Sequence, residues 1–411
     1  MTPTKPLRMP EFIAMMAVLF ATLAFSIDAM LPALPDIATQ LSPEAPNRAQ
    51  LIVLSFVLGM GVGTILTGPL SDAFGRKIVI TWGIGLYIVG AVLAFYAQTL
   101  ELLLAARVLQ GLGAASPRIV PMAMIRDLYE GRRMAQITSF VMTVFMLVPA
   151  VAPAIGALII DFAGWRYIFA AFILFAVIGG TWLNLRQPET LPRERRRPLN
   201  FGQLRLAVAE IASNRMVMLY TAVLTLGFTQ MMALIASIQP IYDVTYDQGV
   251  NFPLWFALSA LIAASGTVLN AALVMRVGMR RLALRAYLAQ AIFAAAFLVL
   301  YQLSLIPAML AFPLWFIWSV SIFFMAGLTF GNLNALALQP MGHIAGTASS
   351  VIAAISTIVS VVLAIPIGQA FNATPVPLLI GTAICSGLCW MLMTRSTEAE
   401  DGVVAAPDAA E

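Results

Sequence analysis

The chain has 411 residues, of which 61% are hydrophobic and 10% are charged, whereas an ordinary soluble domain has about 25% charged residues. The formal net charge is +4 and the mean hydropathy is +0.92. No fold of such a chain can present only polar groups to water, which excludes a soluble enzyme, a nucleic-acid-binding protein and a disordered regulator.

Apolar stretches long enough to cross a bilayer follow one another along the sequence. A membrane-spanning helix needs about 20 mostly apolar residues. The stretches are too long for membrane strands and lack their alternation. The sequence therefore predicts an all-α polytopic membrane protein with twelve spans, at residues 13–34, 50–71, 78–97, 101–123, 136–160, 165–186, 216–240, 252–275, 282–303, 308–334, 345–370 and 375–394.

Positive charges are distributed unevenly between the two ends of these spans. Of the 23 Lys and Arg residues, Arg48 and Arg166 fall on the side opposite to the N-terminus, and Arg107 and Arg118 fall inside a span. All the others lie on the side of the N-terminus. Because positively charged loops stay in the cytoplasm, we expect a multi-pass protein with both termini cytoplasmic.

The longest polar segment, residues 187–213, divides the twelve spans into two groups of six. A basic turn occurs at the matching place in each group, at residues 75–77 and 276–281. Repeated six-helix halves are typical of secondary transporters, and the sequence lacks the phosphate-binding loop of an ATPase. The predicted units are an N-terminal bundle at 1–187, a cytoplasmic linker at 188–214, a C-terminal bundle at 215–394 and a disordered tail at 395–411.

Three charged residues lie well inside predicted spans: Asp28, Arg107 and Arg118. Each costs about 2.5–3.5 kcal/mol at a helix centre, so such residues are usually paired or functional. Asp28 and Arg107 lie at a similar depth, about 9 Å from the outer boundary, and can pair if spans 1 and 4 are neighbours. Arg118 follows Arg107 by eleven residues, which places both on one face of span 4.

Asp28 and Arg107 form a candidate proton-coupling pair. Loss of water favours the neutral form of a carboxyl group, and a nearby guanidinium favours its charged form. Movement of the arginine or binding of a substrate would shift that balance, so that Asp28 loads or releases a proton while Arg107 stays charged. A static ion pair between spans 1 and 4 is the structural alternative.

Candidate substrate-binding side chains combine aromatic, methionine and amide groups with one arginine, which suits an amphipathic ligand. Each amide can equally form an interhelical hydrogen bond. Cys385 and Cys389 lack the further ligands that a metal ion needs, so we expect neither a metal nor a cofactor. The binding candidates are Phe25, Arg118, Phe145, Met146, Gln230, Trp318 and Asn332.

Four motifs together are similar to one family. They are SIDAMLPALPDI at 26–37, GPLSDAFGRK at 68–77, RVLQG at 107–111 and PAVAPAIG at 149–156. The chain resembles the major facilitator superfamily, and within it the twelve-span drug:proton antiporters of the bicyclomycin/chloramphenicol resistance (Bcr/CflA) group.

This resemblance implies a bacterial inner-membrane protein with two six-helix bundles, and proton-driven efflux of small amphipathic compounds, such as antibiotics, by alternating access. It also implies that Asp28 and Arg107 couple transport to protons. Ala73 stands where the loop motif usually has a basic residue, so we expect weaker closure of the cytoplasmic side by this loop. The implied cytoplasmic gate consists of Gly68, Asp72, Gly75, Arg76 and Lys77, and the implied antiporter motif of Pro149, Pro153 and Gly156.

Two other functions stay open at this point. A proton-linked or facilitative transporter of a small metabolite, such as an organic acid, amino acid or sugar, fits the same fold, with Arg118 binding a substrate carboxylate. A membrane receptor or scaffold without transport fits less well, because it needs neither the acid–arginine pair nor the transport motifs. An enzyme is not expected. The expected partners are a small-molecule substrate, protons and membrane lipids but no nucleic acid, and we expect a monomer.

Overall fold

The computed structural model describes residues 7–199 and 201–396, and its regular structure within these residues is entirely helical. Most of the predicted tail, from residue 397 onward, lies outside the described residues, as do residues 1–6 and 200. Two short helices are α2 (Leu34–Leu41) and α8 (Phe201–Ser213). The twelve long helices are α1 (Met9–Asp28), α3 (Leu51–Phe74), α4 (Arg76–Phe95), α5 (Leu100–Leu128), α6 (Gly131–Ala163), α7 (Tyr167–Arg186), α9 (Arg215–Pro240), α10 (Phe252–Val277), α11 (Met279–Gln302), α12 (Ala308–Leu338), α13 (Ala345–Gln369) and α14 (Val376–Thr394).

Each long helix coincides with one predicted span, which confirms the all-α polytopic fold. Within the described part of the chain, ten helical stretches are long and apolar enough to cross a membrane. One of them, Ala308–Gln369, contains both α12 and α13. Helix α5 is not among the ten, because Arg107 and Arg118 within it lower its hydropathy.

The first span was predicted at residues 13–34, and the helical stretch that is long and apolar enough to cross the membrane there is Met9–Leu41. Helix α1 ends at Asp28, and a 3-10 turn at Leu31–Ala33 follows it. Pro32 explains the break, because a proline ring clashes with the carbonyl group four residues earlier, which here belongs to Asp28. The carboxyl group is therefore on the last residue of a helix, next to irregular backbone.

The same helix pairings occur in both halves of the chain. Helix α1 contacts α5, α6 and α7, just as α9 contacts α12, α13 and α14. Helix α5 packs against α3 and α4, just as α12 packs against α10 and α11. The halves meet where α3 contacts α13 and where α6 contacts α10. The fold therefore consists of two six-helix bundles, with α8 lying against α9 and α13.

Glycines allow α5 to lie unusually close to both of its neighbours. A Cβ atom on Gly111 would lie 1.9 Å from the carbonyl oxygen of Phe56 on α3. A Cβ atom on Gly113 would lie 2.4 Å from the backbone nitrogen of Tyr87 on α4. The small residues of α5 thus allow α3 and α4 to pack closely against it, as small residues permit in membranes.

Candidate functional site

Arg107 lies inside the N-terminal bundle and connects three helices. Its side chain is fully buried. Nε donates to the carbonyl oxygen of Ile52 on α3 (3.2 Å), and Nη2 donates to the carbonyl oxygen of Ser26 on α1 (3.0 Å). Nη1 donates to Oε1 of Gln110 on its own helix (2.6 Å). The ring of Phe56 lies 4.3 Å from the guanidinium carbon, within the range of a cation–π contact.

Asp28 is buried, with 6% of its surface exposed. Among the described residues, its carboxylate has no hydrogen-bond or ion-pair partner. Arg107 does not pair with it in this conformation, and its three hydrogen bonds go to carbonyl and amide oxygens instead. The static ion pair considered from the sequence is therefore absent here, and Asp28 is an isolated buried carboxyl group.

Ser26 and Tyr87 connect α1 to α4 beside Arg107. The Ser26 Oγ and the Tyr87 hydroxyl share a hydrogen bond, and the carbonyl oxygen of the same serine accepts from Arg107. Ser26, Tyr87 and Gln110 were not predicted as site residues from the sequence. The spacing of three residues between Arg107 and Gln110 was a usable signal, whereas no sequence pattern places Tyr87 on the neighbouring helix.

The motif on α6 packs against the backbone next to Asp28. Helix α6 continues through Pro149 and Pro153. A Cβ atom on Gly156 would lie 2.2 Å from the carbonyl oxygen of Ala29, so the approach of α6 to the end of α1 requires glycine. The structure thus brings this motif into contact with the residue that follows the buried carboxyl group.

Arg76 is the centre of a polar network at the end of the bundle where α3 is joined to α4. Nη1 donates to Oγ of Ser71 (2.8 Å) and to the carboxylate of Asp72. Nε donates to Oδ2 of Asp127 near the end of α5 (3.0 Å). Gly75 makes the tight turn with φ of +107°, a backbone conformation that favours glycine.

Glu189 belongs to the same network, and sequence analysis missed it. Its carboxylate accepts the backbone N–H groups of Arg76 (2.9 Å) and Lys77 (3.1 Å). A carboxylate at this position satisfies N–H groups without intrahelical partners and interacts favourably with the helix dipole. Nζ of Lys77 donates to the carbonyl oxygens of Asn184 (2.8 Å) and Gln187 (3.0 Å). The network therefore ties the linker to α3, α4, α5 and α7.

In this conformation the network does not reach the other half of the protein. Within the described part of the chain, the hydrogen bonds of Asp72, Arg76 and Lys77 stay inside the N-terminal bundle and the linker. Gly68 does lie against α13, since a Cβ atom on it would be 3.5 Å from Oγ of Ser350.

At the opposite end of the bundles, hydrogen bonds cross between the halves. Nδ2 of Asn47 donates to the carbonyl oxygens of Gln369 (3.1 Å) and Phe371 (2.7 Å). Nε2 of Gln369 donates back to the carbonyl oxygen of Asn47 (2.8 Å). Nearby, the buried Ser237 donates to Oε1 of the buried Gln50 (3.1 Å). We call Asn47, Gln50, Ser237 and Gln369 the amide clasp.

Four of the predicted substrate-binding residues are engaged within a single bundle. The ring of Phe25 packs against that of Phe172 on α7, with 5.4 Å between centroids. Gln230 is fully buried and accepts from Oγ of Ser386 on α14 (2.7 Å).

The other two of these four residues, like Gln230, lie in the C-terminal bundle. Trp318 is fully buried and packs against Trp315, with 5.1 Å between ring centroids. Nδ2 of Asn332 donates to Oδ1 of Asn270 on α10 (2.8 Å). Both predicted amides, Gln230 and Asn332, therefore form interhelical hydrogen bonds in this conformation.

Arg118, Phe145 and Met146 keep part of their surface exposed. The ring centroid of Phe145 lies 6.2 Å from that of Phe20. Nη1 of Arg118 lies 3.8 Å from Sδ of Met60. Among the described residues, no cluster of three or more His, Cys, Asp or Glu side chains is placed to hold a metal ion.

Two helical bundles that repeat the same packing and enclose charged side chains are typical of a membrane transporter. The family model of the Major Facilitator Superfamily matches residues 14–365. The chain belongs to this family.

Curated relatives support the narrower resemblance. The bicyclomycin resistance protein homolog of Haemophilus influenzae is 28% identical over 381 residues, covering 91% of this chain and 93% of the relative. A chloramphenicol resistance protein of Pseudomonas aeruginosa is 34% identical over 148 residues, which is 36% of this chain and 35% of the relative. The multidrug resistance protein MdtL of Escherichia coli is 35% identical over 153 residues, covering 37% and 38%. The resemblance to the Bcr/CflA group is thereby confirmed.

Solved structures agree on the fold. The xylose transporter XylE from E. coli, in a partially occluded inward open conformation, matches with a TM-score of 0.74 and 13% identity, covering 94% of this chain and 97% of that chain. The human organic anion transporter MFSD10 matches with a TM-score of 0.62 and 18% identity, covering 95% and 99%. At these identities the likeness shows the fold alone.

Proposed function

We propose that this transporter exports small amphipathic compounds in exchange for protons by alternating access. The observation that carries the proposal is Asp28, a buried carboxyl group without a partner among the described residues, next to the α6 motif. A carboxyl group in this setting holds a proton in one state and releases it when its surroundings change. The names of the relatives refer to bicyclomycin, chloramphenicol and multidrug resistance, which favours drug-like substrates.

We place the Arg76 end in the cytoplasm of a bacterial cell and both termini on that side of the inner membrane. The concentration of basic residues at this end supports the orientation. With this orientation, the amide clasp joins the halves at the outer end. At the cytoplasmic end, no hydrogen bond crosses between the described parts of the two halves.

In the proposed cycle, residues 1–187 and 215–394 rock against each other, and residues 188–214 link them. Arg107 holds the carbonyl oxygen of Ser26, two residues before Asp28. Movement of the end of α1 therefore changes the distance between the guanidinium and the carboxyl group, which changes the affinity of Asp28 for a proton. One chain supplies both bundles, so the mechanism requires only a monomer.

Proton exchange in everted membrane vesicles tests the proposal. Vesicles with an acidic interior and a pH-sensitive dye receive lipophilic cations, chloramphenicol-like neutral compounds and organic acids in turn. We expect one class to dissipate the gradient with the wild-type protein and not with Asp28→Asn. Asp161→Asn is the matched control, because Asp161 is exposed near the end of α6, and it should leave exchange unchanged.

The outcomes separate the possible functions. If Asp28→Asn exchanges protons at the wild-type rate, Asp28 is not the proton carrier. If the wild-type protein transports a compound without moving protons, a facilitative carrier of a metabolite replaces the antiporter. A protein that binds compounds but moves neither them nor protons is a receptor or scaffold.

A further inference from the structure

The interior of the bundles carries more positive than negative charge. Among the described residues, the charged side chains that lie away from both ends and are buried or half-buried are Asp28, Arg107 and Arg118. Two guanidinium groups thus stand against one carboxyl group, and protonation of Asp28 leaves both without a counter-charge. An uncompensated charge is costly inside a membrane, so the site favours a negatively charged guest.

The two arginines use their donors differently. Arg107 is fully buried, and three oxygens accept its hydrogen bonds. Arg118 is half-buried, and its acceptor among the described residues is Sδ of Met60 at 3.8 Å. A guanidinium offers five N–H donors in a planar fork that matches a carboxylate, whereas a thioether sulfur is a weak acceptor. Arg118 therefore keeps unused donors at a position that a guest can reach.

We propose that Arg118 binds the carboxylate of an amphipathic organic acid and that such acids are the preferred substrates. Met60 and the half-buried Met122, one turn along α5 from Arg118, provide an adaptable apolar surface for the rest of the molecule. The inference rests on the proposed function, because a substrate must enter the interior to meet Arg118. About 16 Å of helix separates Arg118 from Arg107, which keeps the acid site apart from the proton site.

Equilibrium binding to the full-length protein in phosphatidylcholine nanodiscs tests this assignment. Isothermal titration compares 2-naphthylacetate with its neutral amide, 2-naphthylacetamide, in the absence of any gradient. We expect the acid to bind more tightly by about tenfold or more, as charged hydrogen bonds allow. Arg118→Gln should abolish this preference and leave the affinity for the amide unchanged. Arg118→Lys should retain part of it, because the charge stays and the planar fork is lost.

Arg285→Gln is the matched control, since Arg285 is exposed on α11, and it should preserve the preference. Thermal unfolding of each variant shows whether it is folded. Equal affinity for acid and amide, no acid binding at millimolar concentration, or an equal loss of both in Arg118→Gln would overturn the assignment. Full displacement of the acid by phosphatidylglycerol in the discs, with no acid transport in vesicles, would assign Arg118 to a lipid phosphate instead.

Failure of this inference is distinguishable from failure of the proposed function. Binding is measured without a gradient, so it does not depend on proton exchange by Asp28. If the protein exchanges protons but does not prefer acids, antiport is supported and the role of Arg118 is contradicted. If it prefers acids but does not exchange protons, the role of Arg118 is supported and antiport is contradicted.

Discussion

Asn47 and Gln369 each donate a side-chain amide hydrogen to the backbone carbonyl oxygen of the other, although 322 positions separate them in the sequence. Asn47 lies just before α3, and Gln369 ends α13. These helices form one of the contacts between the two halves. A neutral hydrogen bond contributes about 0.5–1.5 kcal/mol net, so the pair biases the conformational equilibrium without locking it.

Removal of this pair should therefore shift the conformational equilibrium. We expect Asn47→Ala to raise the population in which the halves are separated at the amide clasp by about tenfold, because the two hydrogen bonds that its side chain donates to the other half are lost. Distances between spin labels on α3 and α13 near the amide clasp report the shift. Asn184→Ala is the matched control, because the side chain of Asn184 bonds to Gly180 and Thr81 within the N-terminal bundle. Unchanged distances in Asn47→Ala would show that the clasp does not hold the halves together.

The contact of Gly156 with Ala29 predicts sensitivity of transport to a single methyl group. Gly156→Ala places a Cβ atom 2.2 Å from a carbonyl oxygen, so α6 or the end of α1 must move, at a cost of about 1–3 kcal/mol. We expect slower proton-coupled export with an altered dependence on pH, measured in everted vesicles, because the displaced backbone adjoins Asp28.

Gly387→Ala provides the control for this substitution. Gly387 lies inside α14, and nothing is within 4 Å of a Cβ atom built there. This variant should transport like the wild type. If Gly156→Ala also keeps the wild-type rate and pH dependence, the packing of α6 on α1 is not coupled to the proton site.

Glu189 should stabilise the start of α4 from the linker. Glu189→Ala removes the acceptor of two backbone N–H groups, and loss of a helix cap of this kind costs about 1 kcal/mol. Thermal unfolding in detergent measures the expected fall in stability. Glu194→Ala, which changes an exposed linker residue, should unfold at the wild-type temperature. An equal effect of both substitutions would mean that the linker charge, and not the cap, stabilises the protein.

The sequence predicted the helices well because each span is an apolar run that the membrane alone selects. The end of α-helix α1 inside the first span was not predicted, and it has a local cause. Hydropathy runs unbroken through Pro32, but the backbone breaks four residues earlier, at Asp28. The buried charges were identifiable for the same reason as the spans, since Asp28, Arg107 and Arg118 interrupt apolar sequence.

The partners of those charges could not be predicted, because they depend on how helices face one another. Asn47, which is half-buried in a polar loop, meets Gln369 only when the two bundles pack together. Tyr87 is an ordinary residue of an apolar helix in the sequence, and its hydrogen bond to Ser26 depends on how α4 faces α1. Gln230 and Trp318 were chosen by residue type. The rotation of their helices, which the sequence does not give, points them at partners inside the C-terminal bundle.

Arg107 should depend on the shape of its side chain as well as on its charge. Its guanidinium reaches oxygens on α1, α3 and α5 at once, and a lysine ammonium cannot reproduce that planar fork. Each hydrogen bond to a charged group contributes about 1.5–3 kcal/mol. We therefore expect Arg107→Lys to unfold at a lower temperature in detergent and to lose proton-coupled transport.

Gln110→Ala and Arg285→Lys complete this test. Gln110→Ala removes one of the three acceptors, so it should lower the unfolding temperature less than Arg107→Lys does. Arg285→Lys changes an exposed arginine and should have no effect on either measurement. If Arg107→Lys keeps both wild-type stability and proton exchange, charge alone is what the protein requires there. The three-helix connection would then be a consequence of packing, and Asp28 would respond to the charge at Arg107 without depending on its hydrogen bonds.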